Sequence, residues 1–202
     1  MKDKKSNQNI KERIKQKAFL LIAKNGVDNT SVSEIASACG VTKPVLYYYF
    51  KDKEDLIYNI VAEHTLELNR KFREYLAADN SFEKFCLFVF TEYAGLSGYD
   101  SHDVLCFVAH ISSYTYSHRN FEKRITPVSK LLGEVIFQAV ENEYKKGMIT
   151  AKNKELAKHL ILANIAHLIL NNQKTGLKFP PSYPKDMVKA LLRAINYKGT
   201  NK

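Results

Sequence analysis

Apolar residues recur at three- and four-residue intervals along most of this chain. Ile14, Ala18, Leu21 and Ile22 make one stripe, which predicts an amphipathic helix over residues 9–25. Asn25-Gly26 closes it, because glycine accepts the left-handed residue after a helix at little cost. Ser31-Val32-Ser33-Glu34 reads as a capping box, in which hydroxyl and carboxylate each satisfy a free amide, and Val32, Ile35, Ala36 and Cys39 then face inward. Gly40-Val41 makes a tight turn. Thr42 is placed to cap a third helix, and Pro44 is tolerated in a first turn, where its missing amide has no intrahelical partner. On that helix Leu46 and Phe50 point inward, while Pro44 and Tyr48 point the opposite way, flanked by Val45 and Tyr47. Two short helices joined by a tight turn form a helix-turn-helix, and the second is shaped for a DNA major groove.

The helical period continues past this motif. Asp52 is placed to cap a fourth helix over about 53–76, with a stripe of Leu56, Ile57, Ile60, Val61, His64 and Leu68. An aromatic-rich fifth helix is expected over about 82–97, a sixth over 102–117, and a seventh from Pro127 to Lys146, where Gly147 stops it. The eighth, over about 152–173, is apolar nearly all round and is expected to be buried on both sides. Three prolines make residues 178–184 a loop before a ninth helix over about 185–197. With no strand signal, the fold class is all-α, with about nine helices. The expected division is a three-helix head at 1–52 and a larger helical domain at 53–202, linked by helix four.

Charge changes the picture only in part. The chain of 202 residues carries a net charge of +10, which favours polyanionic partners. The excess is spread along the chain, so the total does not locate a DNA surface. Residues 1–17 are richest, with Lys2, Lys4, Lys5, Lys11, Arg13, Lys15 and Lys17 against Asp3 and Glu12, although residues 1–8 read equally well as a solvated tail. Three cysteines, Cys39, Cys86 and Cys106, show no metal-ribbon spacing and fit buried thiols in a reducing compartment. No long apolar segment or hydrophobic leader is seen, so a bacterial cytoplasmic location and no membrane partner are expected.

Residues 9–71 resemble the tetracycline-repressor (TetR/AcrR) family of transcriptional regulators. The matching residues are Ile14, Ala18, Gly26, Thr30-Ser31-Val32, Glu34-Ile35-Ala36, Gly40-Val41-Thr42-Lys43, Leu46-Tyr47, Phe50 and Lys53-Glu54-Asp55-Leu56. The resemblance implies a helix-turn-helix head and an all-helical ligand-binding and dimerisation domain. Carried over position by position, it implies DNA contacts from Ser31, Thr42, Lys43, Pro44, Val45, Tyr47, Tyr48 and Lys53. The chemistry agrees. Amides at the starts of helices two and four suit phosphate, and tyrosine hydroxyls can donate to phosphate oxygens. Lys43 and Lys53 would release counterions on binding. Thr42, Pro44 and Val45 are short and suit thymine methyls or groove width, and Lys43 is long enough to reach guanine. Core packing is the competing reading of the tyrosines, and Tyr49, nearer Leu46, is the one expected to be structural.

The second domain is less legible. Phe85, Phe88, Tyr93, Phe107, His110, Tyr114 and Phe137 could wall an aromatic ligand pocket or form an ordinary aromatic core. Asn164, His167 and Asn171 share one face of helix eight, and their partners are a ligand, a second subunit or neighbouring side chains. Cys106 and His110 lie four apart but supply only two ligands, so no metal is expected. No cofactor is expected either. By family analogy the end of helix six touches helix four and relays ligand binding.

Two functions remain. One is a homodimeric repressor, paired through helices eight and nine, bound to a palindromic operator and released by a small, largely apolar effector. The other is a helical ligand-binding protein or enzyme whose head is only a protein contact. No Gly-rich phosphate loop, HExxH or Ser/His/Asp ordering supports the enzyme.

Overall fold

The computed structural model describes residues 2–78, 80–93, 101–175 and 180–200. These form nine α-helices and no strand: α1 Lys2–Asn25, α2 Val32–Ala38, α3 Lys43–Tyr49, α4 Lys53–Ala77, α5 Phe82–Tyr93, α6 Ser101–Ser117, α7 Arg119–Lys145, α8 Ala151–Thr175 and α9 Tyr183–Ala194. A short 3-10 turn follows at Lys198–Thr200. None of the described helices is long and apolar enough to cross a membrane.

Packing groups the chain into two compact units that do not follow the division at residue 52. Unit one is Met1–His64 with Cys106–Val128, and unit two is Thr65–Leu105 with Ser129–Lys202. The core of unit one joins Ile14, Ala18 and Ile22 of α1 to Ile35, Leu46, Phe50 and Leu56. Phe107 and Ile111 of α6 and Phe121 and Ile125 of α7 complete it. The head therefore draws its interior from two distant stretches of sequence.

Unit two is built around Phe72 of α4, Phe85 and Phe90 of α5, Val140 of α7, Ile161 and Leu168 of α8, and Leu191 of α9. Its last segment is tied down by hydrogen bonds. The Tyr197 hydroxyl donates to Glu143 at 2.6 Å, and the Asn153 amide donates to the Ile195 carbonyl at 2.6 Å.

Four helices depart from the sequence pattern, the first being α1, which starts at Lys2 and not at residue 9. Helix α7 starts at Arg119, not at Pro127, which lies inside it. Pro127 and Lys123 are both exposed, so water can take the carbonyl that proline leaves without a donor. Helix α8 is not buried on both sides. Ala157, Ile161 and Leu168 face the core, while Leu156 and Leu162 are 39% and 40% exposed. Helix α9 starts at Tyr183, so the expected proline loop is shorter at its end, and residues 176–179 lie outside the described residues. So do residues 94–97, at the expected end of helix five.

Candidate nucleic-acid interface

The geometry of the helix-turn-helix begins with its caps. Ser31 opens α2 with its hydroxyl accepting from the Glu34 amide at 3.2 Å, and the Ser31 amide donates to the Glu34 carboxylate at 2.7 Å. The Ser31 amide first, and then the Ser31 hydroxyl, favour the ionised Glu34 carboxylate and hold its pKa below the ordinary value. Gly40 takes φ +63°, a left-handed backbone that a Cβ would strain, and this lets the chain reverse into α3.

Thr42 occupies the N-cap position of α3 with extended backbone, but its hydroxyl makes no capping bond. Part of the reason lies two residues on. A capping hydroxyl bonds the second or third amide of its helix, and the second residue here is Pro44, which has none. The expected cap is thus absent, and the hydroxyl is left for another partner.

Helix α3 is anchored on one side only. Leu46 is fully buried and Phe50 nearly so. Every other expected contact on it is exposed: Thr42, Lys43, Pro44, Val45, Tyr47 and Tyr48. Tyr47 is 50% and Tyr48 76% exposed. Such tyrosines cost hydrophobic free energy in water unless something covers them. Tyr49 is half-buried and meets Tyr48 edge-on at 5.0 Å. Ser31 is exposed as well.

Lys53 is placed differently. Its ammonium donates to the Val27 carbonyl at 2.8 Å and to the Thr30 carbonyl at 3.3 Å, so it is turned back onto the loop between α1 and α2. Sequence reasoning missed this, because only the fold brings residues 27–30 beside the start of α4.

The start of α4 is a second node. The Asp55 amide donates to Asp52 at 2.7 Å, and the Lys51 amide donates to Asp55 at 3.1 Å. Arg124 of α7 hydrogen-bonds Asp55 and lies over the Tyr58 ring, 4.4 Å from its centre. Burial works against the Asp55 charge, but the Arg124 and Lys51 bonds outweigh it and hold its carboxyl below the usual range. Beside it, the Tyr114 hydroxyl donates to Glu54 at 3.0 Å. Burial first, and then that bond, push the Tyr114 phenol up to about 12.

The expected pocket residues do not share one surrounding. Phe107, His110 and Tyr114 belong to unit one, and Phe85, Phe88, Tyr93, Phe137, Asn164 and His167 to unit two. Phe107 packs on Phe19 at 5.0 Å, in the core of the head. His110 and Tyr114 border a cleft of about 160 Å³ with Asn25, Asp28, Asn29 and Ser113, which is polar where an aromatic wall was expected. In unit two Phe88 stacks on Tyr75 at 4.5 Å and meets Phe72 edge-on at 5.6 Å, while Tyr93 lies tilted, 6.4 Å from Phe72. Phe137 lies under the Lys158 ammonium. Asn164 donates to the Leu160 carbonyl of its own helix, and His167 is exposed, so the polar face of α8 is not buried within one chain. The Asn171 side chain lies outside the described residues. Cys106 and His110 gain no third ligand, and no group of three metal-ligating side chains occurs among the described residues.

An all-helical protein with a capped helix-turn-helix and an exposed tyrosine-bearing second helix is the class that this geometry defines. Comparison with known proteins carries it further. The family described as bacterial regulatory proteins, tetR family, matches residues 14–59. The HTH-type transcriptional regulator AcrR of Shigella flexneri is 38% identical over 78 residues, 35% of this chain and 36% of that protein. An HTH-type transcriptional regulator of Staphylococcus aureus (strain USA300) is 40% identical over 60 residues, 30% of this chain and 31% of its own length. The matched region thus spans about a third of each of these two relatives. The fold is shared over nearly the whole chain. The fatty acid degradation regulator FadR of Bacillus halodurans superposes with a TM-score of 0.78 at 19% identity, covering 93% of this chain and 97% of that one. FadR of Bacillus subtilis, solved in complex with stearoyl-CoA, gives 0.75 at 20% identity over 91% and 98%. Residues 14–59 are thus similar to the tetR family of bacterial regulatory proteins, and the chain as a whole shares its fold with the two FadR structures.

Proposed function

We propose that the protein is a DNA-binding transcriptional regulator, a repressor that leaves its operator when a small, largely apolar effector binds. The observation that carries the reading is the one-sided burial of α3: Leu46 and Phe50 fix the helix, and Pro44, Val45, Tyr47 and Tyr48 are offered outward. Short side chains at Thr42, Pro44 and Val45 favour close approach to groove edges, and the tyrosine hydroxyls suit phosphate oxygens.

A second copy is expected on the outer face of α8, where Leu156 and Leu162 are exposed on a helix that also feeds the core. A two-fold pair presents two recognition helices to half-sites about 34–36 Å apart, which makes the operator palindromic. The aromatic interior of unit two supports an apolar effector. Helix α4 supplies residues to both units, and in this reading it is the element whose state operator and effector both bias.

Selection of bound duplexes from a random pool is the direct test. An inverted repeat with half-sites one helical turn apart is the expected product. Recovery of no enriched sequence at low salt overturns the reading. Thermal-shift screening tests the effector. A hit among apolar acyl or aromatic compounds that also releases the selected duplex supports it, and hits confined to polar metabolites refute it.

A further inference from the structure

Lys53 is one of the two lysines assigned to DNA phosphate by family resemblance, and its surroundings say otherwise. Its ammonium spends two of its three hydrogens on the Val27 and Thr30 carbonyls. The loop they belong to is otherwise held from within. The buried Thr30 hydroxyl donates to the Gly26 carbonyl at 2.8 Å, and the Asn29 amide donates to the Asn25 carbonyl at 3.1 Å. The Thr30 carbonyl and the Ser31 amide are the two ends of one peptide unit. Lys53 holds the carbonyl end and Glu34 the amide end. With both ends fixed by charged side chains, the plane of that peptide is set, and so is the direction in which Ser31 leaves the loop. Lys43 is exposed on the first turn of α3, and its side chain makes no hydrogen bond or ion pair among the described residues.

We propose that Lys53 is a positioning residue, pinning the Val27–Thr30 loop so that Ser31 meets DNA, and is not itself a phosphate contact. This rests on the DNA-binding reading above, and the two can fail separately.

The test uses full-length protein and a labelled duplex taken from the random-pool selection, titrated from about 50 to 200 mM salt. Lys53→Met is expected to weaken binding while leaving the slope of log affinity against log salt unchanged, whereas Lys43→Met lowers that slope by about one. Lys53→Arg, which keeps the donors, is expected to restore affinity. Ser31→Ala is expected to cost about threefold or more in the wild type and less when added to Lys53→Met, since coupled residues are not additive. A slope that falls by about one in Lys53→Met, or a Ser31→Ala cost that is the same in both backgrounds, overturns the proposal. Amide hydrogen exchange at residues 27–31 needs no DNA. It is expected to accelerate in Lys53→Met and not in Lys53→Arg, and unchanged exchange in both overturns the latch even if the wild type binds no duplex.

Discussion

Tyr47 and Tyr48 both lie on the exposed side of α3. Leu46 and Phe50 carry the packing, so removing either tyrosine ring takes little from the interior. Tyr47→Ala is expected to weaken binding to the selected duplex by about tenfold, the order of one good hydrogen bond with its ring contact, while the thermal midpoint moves by less than about 2 °C. Gel-shift titration with calorimetry checks both parts, and undiminished affinity removes Tyr47 from the interface. At the next node, Asp55 makes stability depend on acid. Its carboxyl is held below its usual range when folded, so its contribution is complete above about pH 4 and is lost as pH falls through the lower, folded value. Asp55→Asn is therefore expected to lower the melting temperature at pH 7 and to flatten its decline below about pH 4. An identical acid decline in wild type and variant refutes the assignment.

At the scale of single elements, legibility tracked how local the governing interaction was. The capping box at Ser31 and Glu34, the Gly40 turn, and the inward Leu46 and Phe50 all depend on neighbours within four residues. All were readable from the sequence. Thr42 showed the limit of such reading. Its type and position favour a cap, yet Pro44 had already removed one of the two amides a cap can use. Helix α7 shows the opposite case, for Pro127 in the pattern predicts a start whereas the exposed helix holds it inside. Pro127→Ala is expected to raise stability by about 1 kcal/mol or more by restoring the missing bond, and thermal unfolding checks it; a lower midpoint means the proline shapes α7 in a way the fold needs. The candidate contacts on α3 were legible for the same local reason. The Lys53 latch was not, because its carbonyl partners lie 23 and 26 residues away in sequence. The aromatic residues of the expected pocket failed for a related reason. Periodicity places a ring on an inward face but does not say which of two interiors it enters, and Phe107 went to the head while Phe85 went to unit two.

The whole molecule sets oligomeric state and the order of the chain. Leu156 and Leu162 are the largest apolar side chains left exposed among the described side chains of α8, and the proposed pairing covers them. Leu162→Glu is expected to shift sedimentation from dimer to monomer and to weaken duplex binding by about tenfold or more, since each head then binds alone. Retention of the dimer places the contact elsewhere. The composition of unit one has a further consequence. Its interior borrows Phe107, Ile111, Phe121 and Ile125 from a stretch that begins some forty residues after the head's first segment has ended. A graft made by cutting after the fourth helix begins would carry the reading surface but leave an open wound where those four side chains belong. Any chimera that carries the head of this chain must therefore transplant residues 106–128 as well.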